Sequence, residues 1–160
     1  MAETDTNLYR SLTGDVGKRF KNIQITVYPG DGVLYPRWED TQRFSRQRNQ
    51  VITDQADLTV VAGKDGLEVE PDGGTSLHDV AGWFPNKDFW IPKGTEYCAE
   101  EIYIRKDPRL KVSQYNQKIA GHHFQLEPKT RMTVAAFKGA LDNMARAAVV
   151  KQCELAKTKG

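Results

Sequence analysis

Gly121-His122-His123-Phe124-Gln125-Leu126-Glu127-Pro128 alternates two kinds of side chain, and by Thr133 that alternation has given way to a different period. In an extended chain, neighbouring side chains point to opposite faces. Phe124 and Leu126 therefore share one face, which suits a core. His123, Gln125 and Glu127 share the other, roughly 7 Å apart from one to the next. From Thr133 to Lys157 there is no proline and one glycine, and Val134, Phe137, Leu141, Met144, Ala148 and Leu155 recur mostly at three- and four-residue steps. That is one apolar face of an amphipathic helix. Thr133 stands where an N-cap belongs, just past the break at Pro128. A strand pattern that yields to one long helix, about 133–157, predicts an α+β protein rather than a doubly wound sheet.

Upstream of this stretch the chain reads as short strands with turns between them. Asn7–Leu12 is a strand closed by the turn signal Gly14-Asp15. Ile23, Ile25 and Val27 alternate with Gln24, Thr26 and Tyr28, and Pro29-Gly30-Asp31-Gly32 ends that run. Residues 37–55 are strongly polar, carry Arg37, Arg43, Arg46 and Arg48, and read as a surface helix or loop. Leu58–Ala62 is β-branched and strand-like. Gly63-Lys64-Asp65-Gly66 and Pro71-Asp72-Gly73-Gly74 separate the short strands after it. Phe89–Ile91 and Ile102–Ile104 complete the set of strands.

Length and composition narrow the possible functions. The 160 residues suit one domain, with residues 1–6 polar and expected to fray. No apolar run is long enough to span a membrane. Met1-Ala2-Glu3-Thr4-Asp5 has neither the basic region nor the apolar run of a secretory signal. Cys98 and Cys153 are expected to be reduced thiols rather than a disulfide framework. A net charge of +2 does not by itself imply a nucleic-acid partner, and four arginines between 37 and 48 read first as a solvated face.

Two segments carry the chemistry. The polar row His123, Gln125, Glu127 fits either a cleft floor or the solvated face of an edge strand. Gly73-Gly74-Thr75-Ser76 allows a tight turn and close backbone approach, then places two hydroxyls that either bind a ligand or belong to an ordinary hairpin. The adjacent histidines His122 and His123 point to opposite sides of a strand, and no Cys-x-x-Cys or His-Glu-x-x-His accompanies them, so no metal site is expected. P-loop and Rossmann glycine spacings are absent as well.

Several spaced segments, taken together, resemble the ADP-ribosyltransferase-like toxins exported by the bacterial type VI secretion system. They begin with Leu8-Tyr9-Arg10 and Gly14-Asp15-Val16-Gly17. They continue from Asp57 through Val61–Leu67 to Gly73-Gly74-Thr75-Ser76 and Asp79. The remainder comprises Asp88–Thr95, Gln114-Tyr115-Asn116, His123-Phe124, Pro128, Met132 and Leu141-Asp142-Asn143. The resemblance implies an ADP-ribosyltransferase-like fold, with small antiparallel sheets around a cleft and a long C-terminal helix. It implies NAD as substrate, used to modify a macromolecule or depleted outright, in the cytosol of a target cell. It also implies a cognate immunity protein that binds over or near the cleft. Many ADP-ribosyltransferases use an early-strand arginine, a Ser/Thr motif and a Gln-x-Glu or Glu-x-Glu, and Arg10, Thr75-Ser76 and Gln125-Leu126-Glu127 occur here in that order. On this basis His123, Glu127 and Ser76 are expected at the reacting bond. Arg10, Tyr9, Thr75, Ser76 and Gln125 are expected to bind the dinucleotide. The family resembles this chain at His123 but does not dependably offer a glutamate at Glu127, so a histidine-based and a glutamate-based site compete. A binding module that keeps the fold without the chemistry and a toxin aimed at nucleic acid are the alternative readings.

Overall fold

The computed structural model describes residues 1–12 and 31–159. The turn at Gly14-Asp15 and the strand read at 23–27 lie outside the described residues. The described strands, in chain order, are β1 (Ala2–Glu3), β2 (Leu8–Ser11), β3 (Thr41–Ser45), β4 (Gln50–Asp54), β5 (Val60–Gly63), β6 (Gly66–Val69) and β7 (Thr75–His78). Next come β8 (Asp88–Ile91), β9 (Glu96–Tyr97), β10 (Ile102–Lys106), β11 (Lys111–Val112), β12 (Ala120–Gly121), β13 (His123–Pro128) and β14 (Met132–Thr133). Among the described residues one helix, α1 (Val134–Lys159), follows β14. The protein is α+β with small antiparallel sheets, as the change of period across Pro128 predicts.

The largest sheet has the order β10-β13-β7-β2-β8. All of its pairings are antiparallel, so strands 47 residues apart face each other in a fixed register, with Gln125 opposite Ser76 and His123 opposite His78. Leu8, Leu77, Phe89, Ile91, Ile102, Phe124 and Leu126 are buried on one side, together with Phe137, Leu141, Met144, Ala145 and Ala148 of α1. The other side carries the polar row. β13 is flanked by β10 and β7, so that row is not the face of an edge strand.

The helix begins where a cap is available. The Ala136 N–H donates to Thr133 Oγ1 at 3.1 Å, the bond that an N-cap hydroxyl makes to the third helical residue. Asp142 is buried on α1 and fastens the segment before β3. Its carboxylate accepts the Gly32 N–H at 3.0 Å and the Tyr35 hydroxyl at 2.7 Å. This tie reaches the candidate site, because carbonyls at 34 and 35 hold two of its residues.

Two expectations change. Residues 37–55 are neither helix nor loop but contain the β3–β4 hairpin, with Phe44 opposite Val51 and Asn49 at φ 50° in the turn. The many charges mask a strand because both faces of this hairpin are largely open to solvent, so no apolar alternation is required. Residues 1–6 do not fray. Ala2 and Glu3 pair with Tyr97 and Glu96, and the buried Thr4 donates its hydroxyl to the Pro92 carbonyl at 2.8 Å. A polar terminus stays ordered when its backbone groups join a sheet edge.

Glycine fixes the approach of β7 to the sheet. A Cβ at Gly74 would strike the Leu126 carbonyl oxygen, and one at Gly73 would strike that of Asp57. The glycine pair is therefore required by close backbone approach. Among the described residues no helix is long and apolar enough to cross a membrane.

Candidate active site

Ser76 and His123 meet in the middle of the large sheet. The Ser76 hydroxyl and His123 Nε2 are 3.1 Å apart, within hydrogen-bonding distance. His78, opposite His123 in the register, presents its ring to that of His123 with centroids 5.3 Å apart. Trp83 stacks on His78 at 4.2 Å with planes 12° apart, and Phe84 meets the same imidazole edge-on at 6.0 Å. Trp83 and Phe84 come from the loop between β7 and β8. Ser113 secures that loop by donating its hydroxyl to the Trp83 carbonyl.

These surroundings set the protonation of both histidines. Burial pushes His78 down to about 4, helped by the neighbouring His123 and opposed by Asp79. Burial also lowers His123, helped by Lys111 and opposed by Asp107. Both imidazoles are thus neutral at pH 7, and each keeps one nitrogen able to accept a proton or hydrogen bond. His122 belongs to a separate arrangement. Its backbone N–H donates to Asp79 Oδ1 at 2.7 Å, and its Nδ1 lies 2.8 Å from Asp79 Oδ2. No group of three or more His, Cys, Asp or Glu side chains among the described residues is arranged to hold a metal ion.

The low value at His78 makes stability depend on pH. Its folded-state value lies below that of an unfolded histidine, about 6.5. The folded protein therefore binds fewer protons across that interval, and the associated stability is complete above about pH 6.5 and lost as the pH falls toward 4. The midpoint of thermal unfolding should drop between pH 7 and pH 4.5 by more in the wild type than in His78→Phe, which keeps the stack on Trp83. Parallel curves for the two proteins would contradict this.

The expected site residues divide into two groups. Ser76, His123, Gln125, Glu127 and Tyr9 all face the polar side. Tyr9 is opposite both His78 and Trp90, and burial raises its phenol. Gln125 lies between Ser76 and Arg105 across the strands. Glu127 is 4% exposed, and both its oxygens accept from Arg105 Nε, at 3.0 and 2.9 Å. Arg10 and Thr75 lie on the opposite, core side. Arg10 donates from Nη1 to the Ser76 carbonyl at 3.2 Å and from Nη2 to the Tyr35 carbonyl at 3.0 Å. Its buried Nε has no partner among the described residues, and burial lowers the guanidinium to about 10, opposed by Asp57, so Arg10 remains charged. Thr75 is fully buried and donates its hydroxyl to the Leu34 carbonyl. Both residues brace the strand that carries Ser76. Asp142 holds the same 32–35 segment from the helix side.

Arg105, Trp83 and Phe84 lie beside the polar row, and sequence pattern does not single them out. Arg105 is legible in principle, since Ile102 and Ile104 alternate with Tyr103 and Arg105. Trp83-Phe84 is a pair of aromatics in a loop beside Gly82 and Pro85, with no period to assign it. An open groove of about 510 Å³, lined by Trp38, Asp40, Asp57 and Asp72 among others, shares no residue with the polar row.

The sequence matches the model of a family described as Tse2 ADP-ribosyltransferase toxin over residues 4–153. It is also 36% identical over 100 residues to the Toxin Tse2 of Pseudomonas aeruginosa. That similarity covers 61% of this chain and 59% of the relative, so it spans less than two thirds of the relative's length. The family match takes in β2, β7, β13 and most of α1, the elements that build and brace the Ser76–His123 contact. This chain belongs to the Tse2 ADP-ribosyltransferase toxin family.

Proposed function

We propose that this protein is a toxin with an ADP-ribosyltransferase fold that consumes NAD in the cytosol of a target cell. The observation that carries this reading is the Ser76–His123 contact, which lies beside His78 on the polar face of the sheet. The reaction breaks the bond between ribose C1′ and the nicotinamide nitrogen. Nicotinamide leaves with the electron pair, positive charge develops on the ribosyl group, and an acceptor nucleophile or water adds at C1′ and loses a proton. His123 and Ser76 hold the reacting ribose, and the neutral imidazole meets the developing charge. Trp83 and Phe84 provide an apolar wall for a flat ring. Tyr9 and Gln125 line the adjoining surface.

Glu127 lies four residues from His123 along the strand, about 13 Å. One sugar ring does not touch both side chains, and the Glu127 carboxylate is already bound to Arg105. This favours the histidine-based site, with Glu127 acting as a positioning residue. Arg10 and Thr75 support the site through the backbone at Ser76. The acceptor is a macromolecule or water. Delivery by a type VI system and neutralisation by an immunity protein that covers the polar row complete the reading.

Growth arrest tests this reading. Expressed in a bacterial cytosol, the wild type should stop growth and lower cellular NAD, and Ser76→Ala should relieve both while accumulating as folded protein. A fully toxic Ser76→Ala variant would place the toxic chemistry elsewhere on the molecule.

A further inference from the structure

Of the two arginines packed around the site, only Arg105 turns its guanidinium to the polar face, since Arg10 lies buried on the core side. Both Nη atoms of Arg10 are bonded to backbone carbonyls on the core side. Arg105 ends the cross-strand row Ser76–Gln125–Arg105, two strand spacings or about 10 Å from Ser76. Its side chain is 58% exposed. Nε is committed to both oxygens of Glu127, whereas Nη1 and Nη2 have no partner among the described residues. The guanidinium carbon stands 5.2 Å from the centre of the Tyr103 ring, and Lys129 Nζ stands 5.1 Å from the same ring. Fixing a planar guanidinium through Nε and an aromatic ring leaves its outer pair of N–H groups aimed together, the fork that binds phosphate oxygens. Lys129 adds a second cation beside it.

We propose that Arg105, aimed by Glu127 and Tyr103 and joined by Lys129, binds the pyrophosphate of the dinucleotide. The proposal rests on the NAD reading: with the nicotinamide ribose at Ser76 and His123, the next group along the molecule is the pyrophosphate, and Arg105 is the cation toward which the row leads. Glu127 then contributes by orienting Arg105, which explains a buried carboxylate so far from His123.

The test uses Arg105→Gln and the double variant Arg105→Gln/Glu127→Gln, which leaves no lone buried carboxylate and so guards against misfolding. Binding of inorganic pyrophosphate and of ADP-ribose is measured by calorimetry, and KM and kcat are measured for NAD. Both variants should bind pyrophosphate and ADP-ribose roughly 10- to 100-fold more weakly, as expected for loss of charge-assisted hydrogen bonds. KM should rise in step while kcat stays within about threefold, the signature of lost ground-state and transition-state binding alike. Unchanged affinity in the double variant, or absence of pyrophosphate and ADP-ribose binding by the wild type, overturns the proposal. So does a fall in kcat with KM unchanged. If the wild type binds pyrophosphate through Arg105 but leaves NAD intact, the anion site stands and the NAD reading falls. If it cleaves NAD with the same KM in both variants, the NAD reading stands and the anion site falls.

Discussion

Replacing His123 with Ala should lower NAD turnover by on the order of 10²–10³, the loss expected when one group that stabilises transition-state charge is removed. The imidazole is held by Ser76 at 3.1 Å and kept neutral by burial, so the site is arranged before substrate arrives. Removing a side chain at a half-buried position does not strand a charge, and the variant should remain folded. Glu127→Gln is the informative comparison. It keeps the size of the side chain and removes the charge that orients Arg105, so its effect should fall mainly on KM. Steady-state kinetics on both variants separates the two models. If Glu127→Gln is inactive and His123→Ala keeps most of its turnover, the glutamate-based site is correct and the assignment of His123 is wrong.

Leu141→Ala should cost about 2–5 kcal/mol of folding stability. Leu141 is fully buried in the same cluster as Phe137, Met144 and the core face of the large sheet. It also neighbours Asp142, whose bonds to Gly32 and Tyr35 secure the segment that braces Arg10 and Thr75. A cavity at this position therefore loosens the helix that anchors the site. Chemical denaturation should show a lower midpoint with an unchanged slope. A midpoint within error of the wild type would show that α1 does not pack on the core face of the sheet.

Local pattern reveals some of this architecture and hides the rest for identifiable reasons. The alternation at 123–127 assigns faces correctly, because strand geometry alternates strictly and Phe124 and Leu126 have to be covered. The helix is legible from its apolar spacing and from Thr133. The partner strand of β13 is not legible: nothing near His123 states that Ser76, 47 residues earlier, lies opposite Gln125 and within reach of the imidazole. Cross-strand register is a property of the whole sheet. The orientation of Arg10 is a different case, because the signal is present in the sequence. Arg10 shares its parity with Leu8 and Leu12, so its side chain leaves the strand on the core side, away from the polar row. Assigning it to the dinucleotide from the order Arg, Ser/Thr, Gln-x-Glu passes over that alternation. The β3–β4 hairpin is hidden because Phe44 and Val51, its most apolar cross-strand pair, are themselves exposed, so burial imposes no period on the segment.

Release of nicotinamide from NAD by the purified, folded protein is the most direct test of the central claim. The experiment incubates wild type and His123→Ala with NAD labelled in the adenylate portion, with and without cell lysate. Free nicotinamide and labelled macromolecule are then measured over time. The account predicts nicotinamide release by the wild type, transfer of label to a lysate component or accumulation of free ADP-ribose, and loss of both in His123→Ala. Intact NAD in the presence of wild-type protein that still arrests growth would contradict it.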